Sequence, residues 1–158
     1  MTVEDRMRAE GHPLFPVVAA ALVDDAGRVL LQQRPQGKAL AGLWEFPGGK
    51  LEPGETPEGA LIRELQEELD ITVPPAALEA AGFASEPLAD RHLLLLLYVI
   101  RGWSGTPRAL EADGLIWCRP EEMEAWPMPP ADGPLVRQLR AYLGFSAMTD
   151  APGESGML

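Results

Sequence analysis

Between residues 13 and 145 the apolar positions change rhythm several times, and each change marks an element. Apolar residues fill 17–23, the turn Asp24-Asp25-Ala26-Gly27 follows, and a second apolar run returns over 28–33. Two such runs about a turn signal predict a β-hairpin. A glycine-bearing loop then leads to Leu43-Trp44-Glu45-Phe46, a short strand ending at Pro47-Gly48-Gly49. Beyond it the period lengthens. Thr56 suits an N-cap and Pro57 a first helical position, so a helix is expected from 57 to about 70, with Leu61, Ile62, Leu65 and Leu69 on one face. Pro74-Pro75 breaks the chain, after which a weak strand is expected at 78–84, a strongly apolar one at 92–101 and another at 114–119. The unbroken run Leu93-Leu-Leu-Leu-Leu-Tyr-Val-Ile100 reads as a strand buried on both faces, because a membrane helix needs roughly 20 apolar residues. Pro120 and Glu121 open a helical turn, and Pro134 opens a closing helix over 135–143 in which Leu135, Leu139 and Leu143 recur at i,i+4. The pattern predicts an α/β fold, a mixed sheet with helices on both faces. Residues 1–12 read as a frayed segment, 13–145 as one domain and 146–158 as a flexible tail.

Composition narrows the function classes. At 158 residues with 46% hydrophobic content, the chain can bury one real core but not two. The net charge of −11, from 24 acidic against 13 basic residues, argues against a nucleic-acid polymer as ligand, since no basic stripe is available to neutralise phosphates. A small nucleotide brought in with its own cation remains compatible. The single cysteine, Cys118, excludes an internal disulfide and suits a reducing compartment; its setting in Leu115-Ile116-Trp117-Cys118 reads as a buried structural thiol. The opening residues carry acids and no apolar core of a secretory signal, so a soluble, cytoplasmic protein without membrane partners is expected. A monomer and a homodimer both remain open.

The candidate chemistry lies on the helix expected at 57–70. At 3.6 residues per turn Glu64, Glu67 and Glu68 gather beside its apolar face, and like charges at i,i+3 and i,i+4 cost roughly 0.2–0.5 kcal/mol per pair. A hard divalent cation, Mg2+ or in substitution Mn2+, would offset that repulsion and leave open positions for water and substrate oxygens. A solvated acidic face is the plain alternative. The full spacing decides between them: Gly49, Glu55, then Arg63-Glu64-Leu65-Gln66-Glu67-Glu68 follow the order Gly-x5-Glu-x7-Arg-Glu-apolar-x-Glu-Glu. At average composition such a match arises on the order of once in a billion windows.

This segment closely resembles the signature box of the Nudix hydrolases, which cleave nucleoside diphosphates linked to another moiety. The resemblance implies an α/β/α sandwich. Asp70 departs from the family's usual glycine, yet aspartate tolerates the left-handed conformation that ends a helix. Over roughly 15–143 the chain is further similar to the MutT-type branch, nucleoside triphosphate pyrophosphohydrolases that sanitise oxidised guanine nucleotides and so spare DNA repair. The segments that carry this are Gly42-Leu-Trp-Glu-Phe-Pro-Gly-Gly-Lys50, Asp90-Arg91-His92, Trp103 through Pro107 with Glu111, and Pro129-Pro130-Ala131-Asp132.

By position, the resemblance implies metal ligation by the Gly48 carbonyl and by Glu64, Glu67, Glu68 and Glu111, with Glu64 or Glu67 as general base. Glu55 and Arg63 would brace the site, and Lys50 would neutralise a phosphate oxygen; the plain readings are a surface ion pair for Arg63 and a solvated Lys50. Phe15 and Val17 would form an apolar wall for the base, with Arg34, Arg91 and Asp132 reading its polar edges. Asp132 stands where the oxidised-guanine enzymes carry asparagine. An ionised aspartate only accepts hydrogen bonds, from guanine N1–H and N2–H2 or from the cytosine amine. The expected reaction is metal-dependent hydrolysis of (deoxy)nucleoside triphosphates to monophosphate and pyrophosphate, foremost oxidised guanine nucleotides such as 8-oxo-dGTP. The alternatives are a cytosine-nucleotide (CTP or dCTP) or broad housecleaning enzyme and, in a different class, a non-catalytic nucleotide or base recognition module, for which a degraded acid cluster would be expected.

Overall fold

The structure, a computed structural model, describes Thr2 and residues 12–150, with side chains through residue 144. Strand β1 (Leu14–Leu22) is central because both of its faces are apolar: Val18, Ala20 and Leu22 point to one side, and Ala19 and Ala21 to the other, all buried. Such a strand needs neighbours on both edges. It pairs in parallel with β6 (His92–Ile100) along its whole length and antiparallel with β4 (Gly48–Lys50), while β5 (Leu78–Pro87) lines the far edge of β6, giving the order β4-β1-β6-β5. Strands β2 (Val29–Gln33), β3 (Trp44–Glu45) and β7 (Gly114–Cys118) form a second, antiparallel sheet in the order β3-β2-β7.

The expected hairpin is therefore corrected. The Asp24 turn forms, with the Ala26 and Arg28 amides donating to Asp24 Oδ1, but β1 and β2 share only the Val23–Val29 bridge before parting into different sheets. Two further expectations shift. The strand at 43–46 shrinks to Trp44–Glu45, and the glycines after it are themselves a strand, because residues without Cβ can lie against the β1 backbone: a side chain on Gly48 would run into the Val18 carbonyl. The closing helix starts at Asp132, ahead of Pro134, and its backbone continues to Asp150, beyond the expected end and into the segment read as tail. Residues 151–158 and most of 1–12 lie outside the described residues.

Helices cover both faces. Helix α1 (Pro57–Leu69) is capped by Thr56, whose hydroxyl accepts from the Gly59 amide at 3.0 Å, and ends on Asp70 at φ 56, as its sequence predicts. Its Leu61, Leu65 and Leu69 are fully buried with Val18, Ala20 and Leu22, each such side chain contributing about 1.5–3 kcal/mol. Helix α2 (Asp132–Asp150) sets Leu135, Val136 and Leu139 against Ala19, Ala21 and Val23 on the opposite face. This mixed sheet between helices is the expected α/β class. Among the described residues no helix is long and apolar enough to cross a membrane.

Candidate active site

A cavity of about 470 Å3 opens where β1, β4, β6 and the 34–45 segment meet the start of α2. Its two ends differ in chemistry. At one end the β4 glycines lie against α1: the Gly48 amide donates to Glu68 Oε2 at 3.1 Å, and a side chain on Gly49 would fill the place of the Glu64 carboxylate. Glu111, on the loop before β7, lines the same end as Glu68. Burial pushes the Glu68 carboxyl up to about 8, helped by repulsion from Glu64, Glu111 and Glu45 and opposed by the Gly48 amide. Burial likewise raises Glu64, against the pull of Arg63.

Arg63 is the hub of this end. Its Nε and Nη2 reach Glu55 at 2.8 Å each, its Nη1 reaches Glu64 at 3.0 Å and Glu67 at 3.2 Å, and Nη2 also donates to the Lys50 carbonyl at 3.1 Å. One guanidinium thus ties α1 to the glutamate loop and to β4. Its own pKa is raised, chiefly by Glu55, so it stays charged, while that hydrogen bond lowers Glu55. A fan of this kind is more than a surface pair, because four groups on three segments share one planar donor. Glu67, the outermost acid, is 54% exposed and lies outside the cavity wall.

The donor set fits a hard divalent cation: three carboxylates, Glu64, Glu68 and Glu111, are close enough to repel one another, beside a glycine strand that leaves room for substrate oxygens. Among the described residues no three acids, histidines or cysteines close around a single point as the side chains stand, because Glu64 turns to Arg63 and Glu68 to the Gly48 amide.

The other end is built for a flat, partly apolar body. Phe15 and Val17 line it from β1, and the Arg91 guanidinium lies 3.8 Å from the Phe15 ring centre, with Lys50 Nζ at 5.6 Å. Arg91 Nε is buried without a hydrogen bond, Asp90 standing off at 3.7 Å. Asp132, at the first turn of α2, is 6% exposed, and its Oδ2 has no partner. Burial and the nearby Glu45 push this carboxyl up to about 7, with Arg34 pulling the other way. Arg34 is committed elsewhere: its Nε donates to the Ala39 carbonyl and its Nη1 to Glu45, both at 2.8 Å. It therefore holds the 34–45 loop and Glu45 while it lines the cavity. Glu45 was missed by sequence reasoning; the signal was a lone carboxylate inside the apolar quartet Leu43-Trp44-Glu45-Phe46.

The NUDIX domain profile matches residues 13–139. The chain belongs to the Nudix family. The "CTP pyrophosphohydrolase" of Escherichia coli K12 is 40% identical over 134 residues, covering 85% of this chain and 96% of that protein. The "8-oxo-dGTP diphosphatase" of the same organism is 32% identical over 124 residues, 78% of this chain and 95% of its own length. Among solved structures, the solution structure of the E. coli ORF135 protein superposes with a TM-score of 0.73 at 38% identity, covering 90% of this chain and 95% of the other. The Nudix fold and a pyrophosphohydrolase of MutT type follow, and with them the family's use of a divalent metal.

Proposed function

We propose that this Nudix hydrolase cleaves nucleoside triphosphates to monophosphate and pyrophosphate, with the phosphates at the Glu68 end of the cavity and the base at the Asp132 end. The observation that carries this reading is the continuity of the two ends. Glu68, Glu111, Lys50, Phe15 and Asp132 line one cavity, of a size typical for small-molecule sites. Water adds to a phosphorus, and the P–O bond to the pyrophosphate leaving group breaks. Glu64, Glu68 and Glu111 would hold the cation, most simply Mg2+, which supplies charge against the phosphoryl oxygens and acidifies bound water. Arg63 holds Glu64 and Glu67 in place, Lys50 meets a phosphate oxygen, and Glu64 or Glu67 takes the proton of the attacking water.

At the base end, Arg91 and Phe15 offer a stacking platform and Asp132 an unpartnered oxygen. Oxidised guanine is the first reading for the base. Cytosine is the second, favoured by the 40% identity to a CTP pyrophosphohydrolase. The edge chemistry separates them. An ionised Asp132 complements the two adjacent donors N1–H and N2–H2 that only guanine presents, whereas a protonated Asp132 also fits the acceptor–donor pair N3 and N4–H2 of cytosine. A nucleotide panel assayed for pyrophosphate, with and without Mg2+, tests the reaction. Release of orthophosphate in place of pyrophosphate, or metal-independent turnover, refutes it.

A further inference from the structure

Apart from the catalytic cavity, a second groove, of about 580 Å3, carries a different charge balance from the rest of the protein. Val23 at the end of β1, Arg101 after β6, Arg119 after β7, Glu121, and Arg140 and Leu143 of α2 form its walls. The two cavities share no residue. Strand β1 runs between them, since Ala19 lines one and Val23, just past the strand's end, the other, four residues on, or roughly 13 Å at about 3.3 Å per residue.

The chain has 13 basic residues against 24 acidic ones, yet three arginines converge here with one lining carboxylate. Arg140 is fixed in place in the groove wall: its Nε donates to the Pro120 carbonyl at 2.8 Å and its Nη1 to Glu124 at 2.6 Å. Arg101 and Arg119 are exposed, and neither forms an ion pair among the described residues. Of the acids nearby, Asp24 is engaged with Arg28, Glu124 with Arg140 and Glu79 with the Tyr142 hydroxyl, while Glu121 lines the groove and Glu122 stands next to it in the chain. Arg101 and Arg119, whose guanidinium forks hold no protein carboxylate among the described residues, suit phosphate oxygens, with Arg140 adding its charge from the wall, and the apolar Val23 and Leu143 leave space for more than a bare phosphate.

We propose that this groove is a second anion site, which binds a small phosphate-bearing molecule through Arg101, Arg119 and Arg140, independently of the catalytic cavity. The nucleotide reading above is not required for it. The test is a backbone-amide NMR titration of the full chain with inorganic pyrophosphate in EDTA and low salt. Shifts at Gly27, Arg101, Arg119 and Glu121 that saturate with a sub-millimolar constant are expected. The Arg101→Gln/Arg119→Gln variant should bind there at least tenfold more weakly while hydrolysing nucleotides as before. Unmoved groove amides up to about 10 mM, movement only at the β4 glycines, equal saturation by succinate, or an unchanged affinity in the variant would overturn the proposal.

Discussion

Replacing Asp132 by asparagine separates the two base readings, and the structure sets the size of the effect. The carboxyl is 6% exposed, has one unpartnered oxygen, and titrates at about 7 instead of 3.8, by burial and then by Glu45. At pH 6 it is therefore about 90% protonated and at pH 8 about 90% ionised. The protonated form donates and accepts, so both guanine and cytosine fit; the ionised form only accepts, so it takes both guanine donors, whereas beside the cytosine amine its second oxygen faces the N3 acceptor and guanine is strongly favoured. The ratio of kcat/KM for CTP to that for 8-oxo-dGTP should then fall about tenfold per pH unit above 7. Asp132→Asn, permanently a donor and an acceptor, should hold this ratio level across pH 6–9. Stability follows the same titration. An acid whose folded pKa is raised binds more protons folded than unfolded, so its contribution declines as pH rises from about 3.8 through 7. The full shift corresponds to about 4 kcal/mol; with relaxation around the ion, Asp132→Asn should gain about 1–3 kcal/mol at pH 8 and nothing near pH 4 in urea unfolding. Parallel CTP and 8-oxo-dGTP profiles in the wild type, or the same pH-dependent ratio in the asparagine variant, refute the reasoning.

Other expectations follow from the acid end. Glu68→Gln should abolish most turnover, by roughly 10²–10⁴; in EDTA its Tm should fall less than the wild type's between pH 5 and about 9, because the wild-type carboxyl, raised to about 8, loses its proton over that range. Calorimetry with and without Mg2+ checks this, and an equal Mg2+-induced rise in Tm in variant and wild type would count against Glu68 as a ligand. Gly49→Ala should displace Glu64 and lower kcat at least tenfold with KM little changed, as steady-state kinetics would read. Arg63→Lys keeps the charge but cannot serve Glu55, Glu64 and Glu67 together, so kcat should fall by about 10²; near-normal kcat would reduce the fan to a surface pair. Leu65→Ala should cost about 2–5 kcal/mol in urea unfolding, since the side chain is fully buried between α1 and β1.

Sequence by itself determined what local rules govern. The α1 helix was legible to its ends, because the Thr56 cap, Pro57, the 3.6-residue period and the left-handed Asp70 all act within a few residues of one another. The gathering of Glu64, Glu67 and Glu68 followed from the same period. The parallel partner of β1 was not legible: a turn signal at Asp24 looks alike whether the flanking strands pair or part, and the choice fell to the two apolar faces of β1, each needing a helix and both edges needing a strand. Only the tertiary structure engaged Arg34 with its own loop, by setting Ala39 and Glu45 within reach of its guanidinium. The same holds for Asp132. Its charge state depends on burial beneath the cavity and on Glu45, 87 positions away in the chain, and neither is encoded in the residues beside it. Solvation and Coulomb terms sum over neighbours in space, whereas the motifs of a sequence record only neighbours along the chain.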